Sequence, residues 1–294
     1  MQDKYSIIIP HYNDITLMEK LFESLKKQNL ENIQVLIIDD YSKEENYEKL
    51  RSLAKEHKNI KVIRSEKNAG PANARNIGIK HSNAEYLIFT DSDCIVSNNW
   101  IKTIEEFYKD KVNENKVLQG RVKIMKSSII GQCVSALGFP AGGTIGFEKI
   151  WPVNSKNETK QLVTCNCVIP KKIIEEVGLF DTSFPVQFGE DTDLGLRIVE
   201  KGFKIIFFPK LFVYHPVRDN FKSFIKWTWI RGRGAYYFKK KHSKKGFIKT
   251  RLWSSKNILL NGLKTIKFPL IAFFLFLYLL IFYLGFLSEK RKVK

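Results

Sequence analysis

Three acidic clusters stand out by residue type and spacing: Asp39-Asp40, Asp91-Ser92-Asp93 and Glu190-Asp191-Thr192-Asp193. Carboxylates at i and i+2, as in Asp91 and Asp93, can turn toward one point and offer hard oxygen ligands to Mg2+ or Mn2+. A cation held there would bridge a diphosphate and neutralise charge as a bond to phosphate breaks. The competing assignment is a turn in which Asp caps the following helix. Asp39 and Asp40 can accept hydrogen bonds from a base or ribose, or cap the polar helix that opens at Ser42-Lys-Glu-Glu. Asn68-Ala-Gly-Pro71 followed by Arg75 joins a flexible backbone to a guanidinium suited to a phosphate; the alternative is a plain loop with a surface arginine. In the third cluster a helix start favours negative charge. Three acids in four positions beside Phe184, Phe188 and Gly189 suggest that one faces a cleft as a general base, the rival being an N-terminal charge cluster. His215 offers an imidazole to a metal or to an ordinary sheet-edge contact. Cys165 and Cys167, two apart on a strand, point to one face and read as packing or surface thiols.

The elements that must position these groups follow from periodicity. Short apolar runs alternate with amphipathic stretches through the first 210 residues, the βαβ pattern of a mainly parallel sheet flanked by helices. Strands are predicted over 5–10, 33–38, 60–64, 86–90, 163–169 and 205–214, helices after Asn13-Asp14 and over 44–57 and 171–177, a loop and short helix over 68–80, and part of a helix over 194–201. Two acidic pairs thus end two strands at the edge where open parallel sheets bind ligands. The first strand leads into Pro10-His11-Tyr12-Asn13 rather than a Gly-rich fingerprint, which argues against a dinucleotide fold and a P-loop. Residues 120–160, with Gly138 and Gly142-Gly143, are weakly periodic and read as a mobile, substrate-facing connection.

The chain has 294 residues, 44% hydrophobic, enough for one large α/β domain or two ordinary ones. Four cysteines without C-x-x-C pairing exclude a disulfide scaffold and a standard zinc site, and a reducing compartment fits them. The net charge of +19 is confined to the last third, where residues 201–294 carry 22 Lys/Arg against two Asp/Glu. Basic residues interleaved with Trp227, Trp229, Tyr236, Tyr237 and Trp253 suit anionic headgroups; a nucleic-acid groove uses the same residue types, but the neighbouring apolar run argues against a nucleic-acid partner. That run, 268–287, is 20 uncharged residues long, the length of a membrane helix, a buried core helix and a re-entrant or interfacial segment being the alternatives, and the basic residues on both sides of it leave its orientation balanced by the positive-inside rule. Arg231-Gly-Arg233-Gly can clamp a phosphate of a lipid or of a donor. The N-terminus does not read as a signal peptide.

Taken in order, S-I-I-I-P-H-Y-N (6–13), L-I-I-D-D-Y-S (36–42), N-A-G-P-A-N-A-R-N-x-G (68–78), F-T-D-S-D (89–93) and G-E-D-T-D-L-G-L-R (189–197) resemble the family 2 glycosyltransferases. The resemblance covers about residues 5–215. It implies a GT-A (Rossmann-like) α/β fold, a nucleotide-diphospho-sugar donor, dependence on Mn2+ or Mg2+ and an inverting mechanism. By that resemblance Pro10, Tyr12, Asp39 and Asp40 hold the nucleoside, Asn68 and Arg75 lie toward the diphosphate, and Asp91 and Asp93 bind ribose and metal, with Asp93 the direct ligand. Asp191 maps to the family's base, Glu190 supports it, and His215 completes the metal shell. Thr164-Cys-Asn-Cys167 departs from the Gly-rich turn of many relatives, and Lys226-Trp-Thr-Trp229 departs from the Gln-x-x-Arg-Trp motif of processive synthases, so single-sugar transfer is expected.

The expected organisation is a catalytic domain (1–215), a basic aromatic membrane-proximal region (216–267), a transmembrane or membrane-inserted helix (268–287) and a basic tail (288–294). The expected activity is transfer of one sugar to a hydroxyl of a lipid-linked or cell-surface glycan precursor at the cell membrane, with the catalytic domain in the cytosol. A polyprenyl-monophosphate glycosyltransferase and a non-catalytic membrane-bound nucleotide-binding module are the alternatives.

Overall fold

A computed structural model describes residues 3–55, 57–139, 152–184, 188–242 and 247–292. The first four apolar runs form β1 (Tyr5–His11), β2 (Ile33–Asp39), β3 (Ile60–Arg64) and β4 (Tyr86–Thr90). β1 pairs in parallel with β2 and β4, and β2 with β3, so all four end at one edge. Every residue of β1 and β4 is buried, which is why they read as unbroken apolar runs rather than alternating ones. Between them run α1 (Ile15–Leu25), α2 (Glu44–Lys55) and α3 (Pro71–His81). Asp14 caps α1 by accepting the Leu17 N–H at 3.1 Å. Gly70 precedes α3 at φ +86°, a conformation open to glycine, and Pro71 sets the first helical φ.

The remaining elements are β5 (Ile95–Val96), α4 (Trp100–Lys109), β6 (Lys116–Ile124), α5 (Ile129–Ala136), β7 (Glu158–Thr159), β8 (Asn166–Pro170), α6 (Lys171–Val177), α7 (Glu190–Glu200), β9 (Lys204–His215), α8 (Phe221–Lys241), α9 (Phe247–Gly262) and α10 (Phe268–Lys292). Among the described residues the sheet runs β3-β2-β1-β4-β8-β6-β9-β5, with β7 on β9. β8 is antiparallel to β4 and β6, and β5 and β7 are antiparallel to β9. The sheet is therefore mixed, its parallel part being β3-β2-β1-β4.

Two expectations shift. β8 begins at Asn166 rather than 163, because a turn carrying the Asn166 N–H to Val163 O precedes it and leaves Cys165 just outside the strand. α7 begins at Glu190, so the acids form its first turn, as the helix start expected at the third cluster requires. The stretch 120–160, read as a loop, contains the end of β6, α5 and β7; residues 140–151, including Gly142-Gly143, lie outside the described residues.

The chain divides into two units. The first comprises Met1–Arg121, Asn154–Thr182 and Asp191–Tyr214. In its core, α3, α6 and α7 pack on one sheet face through Ile79, Ile174 and Ile198 against Ile8, Phe89 and Ile169. The second comprises Val122–Val153, Ser183–Glu190 and His215–Lys294. There α8 and α10 lie side by side, with Phe224 on Phe274 (5.1 Å) and Trp227 on Tyr278 (5.7 Å). Gly232 and Gly285 permit that approach: a Cβ on Gly285 would come 2.6 Å from Trp229 O, and one on Gly232 would collide with Phe282 O. Among the described residues α10 alone is long and apolar enough to cross a membrane, by length and composition.

Candidate active site

The parallel strands deliver the predicted acids to one edge, but the acids differ in what they do. Asp39 ends β2 fully buried, where it accepts the Ser42 N–H (3.1 Å) and the Ser42 hydroxyl and faces His11 Nδ1 at 3.2 Å. Burial pushes its pKa up, yet the hydrogen bonds from His11 and Ser42 outweigh that and hold it below the ordinary value. Asp40 accepts the backbone N–H groups of Ala69 (2.9 Å) and Gly70 (2.8 Å), while Asn68 Nδ2 donates to Asp40 O at 3.0 Å. Here burial prevails and raises the carboxyl pKa. Asp40 and Asn68 thus tie the end of β2 to the loop that starts α3.

The turns after β1 and β2 are laced together as well. Asn13 N–H donates to Ser42 Oγ at 2.9 Å, and Lys43 N–H donates to Asn13 Oδ1 at 2.9 Å. Asn13 (φ 62°) and Tyr41 (φ 63°) take left-handed backbone to do this. The result leaves Tyr12 and Tyr41 half-exposed, at 50% and 52%, whereas Pro10 is buried inside β1. Arg64, stacked 5.1 Å from the Tyr41 ring centre, is held by Glu44 at 2.6 Å.

Arg75 on α3 donates to Asp91 just beyond β4 at 2.8 Å. Asp91 O accepts the Cys94 N–H at 3.1 Å, closing a turn that carries the half-buried Asp93. These two carboxylates on one turn are the hard oxygen donors a divalent cation requires, and Asp91 keeps 29% of its side chain accessible. The donor set fits Mg2+ or Mn2+.

Within the third cluster the roles separate. Asp193 is fully buried and binds Arg197 Nε at 2.9 Å, and Arg197 donates onward to Val177 O (2.6 Å) and Leu179 O (2.9 Å) at the end of α6. Asp193 is a structural acid. Asp191, half-buried in the first turn of α7, accepts the Thr192 N–H at 2.6 Å. Glu190 is buried and belongs to the second unit.

Cys167 on β8 is buried within the long-range influence of these charges. Burial pushes its thiol pKa up, and the charges that act on it are those of Arg75, which opposes the rise, and of Asp91 and Asp191, which add to it. All four cysteines are buried, consistent with packing. His215 closes β9 in the second unit, its Nδ1 2.5 Å from Pro216 O and its ring edge-on to Phe139. The register that sets Ile95 opposite Tyr214 fixes where β9 ends.

Buried amides that sequence reading passed over brace this edge. Asn76 exchanges two hydrogen bonds with the Phe180 backbone, at 2.8 and 3.0 Å. Gln119 accepts the Val163 N–H at 2.8 Å, and Asn166 accepts from Trp100 Nε1 at 2.9 Å. For Gln119 and Asn166 the available signal was an amide inside an otherwise apolar strand, which must be satisfied when buried.

Residues 6–175 match the sequence profile of glycosyl transferase family 2. The chain is 32% identical over 210 residues to an uncharacterized glycosyltransferase of Rickettsia felis, aligning 67% of this chain with 30% of that protein. It is 27% identical over 233 residues, 76% of this chain and 70% of the relative, to a dolichyl N-acetyl-alpha-D-glucosaminyl phosphate 3-beta-D-2,3-diacetamido-2,3-dideoxy-beta-D-glucuronosyltransferase of Methanococcus voltae. Among solved structures, a mannosyltransferase of Pyrobaculum calidifontis in complex with GDP-Man and Mn2+ shares the fold at TM-score 0.60 and 16% identity, over 94% of this chain and 74% of that one. Staphylococcus aureus TarS 1–349 in complex with UDP does so at TM-score 0.56 and 16% identity, over 98% and 92%. With the profile spanning more than half of its length and the strand-end acids arranged as described, this chain belongs to glycosyl transferase family 2.

Proposed function

We propose that the protein transfers one sugar from a nucleotide-diphospho-sugar to a hydroxyl of a lipid-linked or cell-surface glycan precursor, with inversion at the anomeric carbon. The observation that carries this reading is the ion pair of Arg75 with Asp91, 2.8 Å apart just beyond β4, at the edge where the parallel strands end. It supports reading Arg75 as a diphosphate contact beside an acid able to ligate a metal, and Asp191, in the first turn of α7, is the base candidate. Asp191 takes the proton from the acceptor hydroxyl as that oxygen attacks, with Glu190 supporting it. Arg75 faces the diphosphate, and the half-exposed Tyr12 ring offers the nucleobase a stacking surface. Asp39, Asp40 and Asn68, engaged in internal hydrogen bonds, hold the nucleoside-side turns in shape around Pro10.

Asp91 and Asp93 would hold the divalent cation, which would supply positive charge against the departing nucleoside diphosphate. The Mn2+ and GDP-Man of the Pyrobaculum neighbour support that assignment. The long apolar α10 and the basic helices before it support a membrane location with residues 1–215 as the cytosolic catalytic part.

The test is nucleoside diphosphate release from a panel of UDP-, GDP- and dTDP-sugars with Mn2+ or Mg2+ and a membrane lipid extract. The expected result is turnover of one donor, abolished by chelation, by Asp93→Ala and by Asp191→Asn. Continued turnover by Asp191→Asn would overturn the base assignment and favour an acceptor already ionised, such as a polyprenyl monophosphate. No turnover of any donor would overturn the enzyme reading.

A further inference from the structure

α10 has two faces of different fate. Ile271, Phe274, Tyr278, Phe282, Gly285 and Glu289, three or four residues apart, are buried within the second unit. Phe273, Phe276, Leu280 and Tyr283 lie on another face and stay exposed, Phe276 by 63%. Leu263 and Ile266, in the connection from α9, extend the exposed apolar surface, Ile266 being 97% accessible.

The buried face rests on α8, and the two helices run in the same direction. Phe224 meets Phe274, Trp227 meets Tyr278, and Tyr236 meets Phe286 at 5.6 Å. Tyr237 Oη then donates to Glu289 Oε2 at 2.7 Å, and Arg233 pairs with the same carboxylate. From Phe274 to Glu289, about 22 Å at ~1.5 Å per residue, α10 therefore has α8 as a continuous neighbour.

α8 is no membrane helix: it carries Lys222, Lys226, Arg231, Arg233 and Lys239-Lys240-Lys241. Were α10 to cross the ~30 Å hydrocarbon layer, α8 would be drawn in beside it, taking Lys226, Arg231 and Arg233 to depths where charged side chains are costly. A helix lying in the interface avoids this: its exposed aromatic and aliphatic face enters the acyl boundary while α8 stays on the protein side. The lysines at the end of α8, Lys264 before α10 and Lys290, Arg291 and Lys292 at its end supply the charge that anionic headgroups attract.

We infer that α10 does not span the bilayer but lies in its surface, so that the second unit is a monotopic platform for anionic lipid. The platform refines the membrane placement proposed above and is independent of the transfer chemistry.

The test uses the full-length chain and vesicles of phosphatidylcholine with or without phosphatidylglycerol. Single variants Phe273→Cys, Phe276→Cys, Leu280→Cys and Tyr283→Cys carry an environment-sensitive maleimide dye, and nitroxide lipids report dye depth. The native cysteines are all buried, so the label reports the introduced thiol. The expected result is binding at least about tenfold tighter to anionic vesicles and weakened by salt, with all four dyes at one shallow depth of about 5–10 Å. A depth that rises to the midplane and falls again along the helix would show a span and overturn the inference. Absence of vesicle binding, or burial of the dyes in a dimer seen by light scattering, would overturn it too. No donor or acceptor enters the measurement, so its failure is distinguishable from failure of the glycosyltransferase reading.

Discussion

Arg75 and Asp91 form an ion pair at 2.8 Å in which the guanidinium is 4% exposed and the carboxylate 29%. The arginine is committed to the interior of the first unit, while its partner is only partly covered. The pair couples α3 to the end of β4, so the proposed diphosphate and metal contacts share one ion pair.

Arg75→Met is expected to lower stability by about 1–2 kcal/mol, discounted from a buried pair because Asp91 reaches solvent. It should weaken donor binding roughly tenfold or more, about 1.4 kcal/mol. Arg75→Lys should restore little, since an ammonium does not reproduce the planar fork. Thermal melting and calorimetric titration with the donor, run on both variants, check the two effects separately.

Asp191 and Asp193, two residues apart, should respond in opposite ways. Asp193→Asn removes the charge that holds Arg197 on the carbonyls ending α6, and a loss of about 1–3 kcal/mol is expected with turnover per folded molecule retained. Asp191→Asn should leave the melting temperature unchanged while transfer falls about 10²–10⁴-fold. Melting curves and turnover measured on the same preparations decide it.

Asp39 predicts a pH dependence of stability. Its pKa is lower in the folded state than in the unfolded one, so ionised Asp39 stabilises the fold above the unfolded value of about 3.9. That stabilisation is lost as pH falls from there toward the folded pKa. Asp39→Asn should therefore flatten the dependence of urea-unfolding free energy on pH between about 5 and 3. An equally steep dependence in the variant would exclude Asp39 as its source.

Gly232→Ala should loosen the second unit. The added methyl meets backbone rather than a flexible side chain, since the Phe282 carbonyl occupies its place. The two helices must then part, at a cost of about 1–3 kcal/mol. Glycine at position 202, where nothing lies within 4 Å but φ is +91°, provides the comparison: Gly202→Ala costs only backbone strain, about 1 kcal/mol. Thermal unfolding of the two variants separates collision from strain.

Legibility in the sequence followed locality. The parallel strands were visible because burial on both faces makes each a continuous apolar run, and β3 and β4 kept the predicted bounds. The acids at strand ends were visible because topology alone brings those ends to one edge. The β6 strand was not: Gln119, Gly120 and Arg121 interrupt its apolar run. Gln119 is nevertheless fully buried because it finds Val163 and Asn166 as partners 44 and 47 residues away.

By itself the sequence determined the parallel strand-helix alternation, the order of the acidic motifs, the confinement of positive charge to the last third and the length of the apolar run. All are properties of neighbouring residues. Only the tertiary structure decided that Asp193 braces Arg197 while Asp191 does not, that Asp39 and Asp40 are engaged by Ser42, Ala69 and Gly70, and that α10 buries one face on a basic helix. Ala69 and Gly70, and the helix that covers α10, are distant in the chain, so residue spacing carries no record of them; Ser42 and Arg197 are within four residues of their acids, and there spacing permits the pair without choosing it over the alternatives.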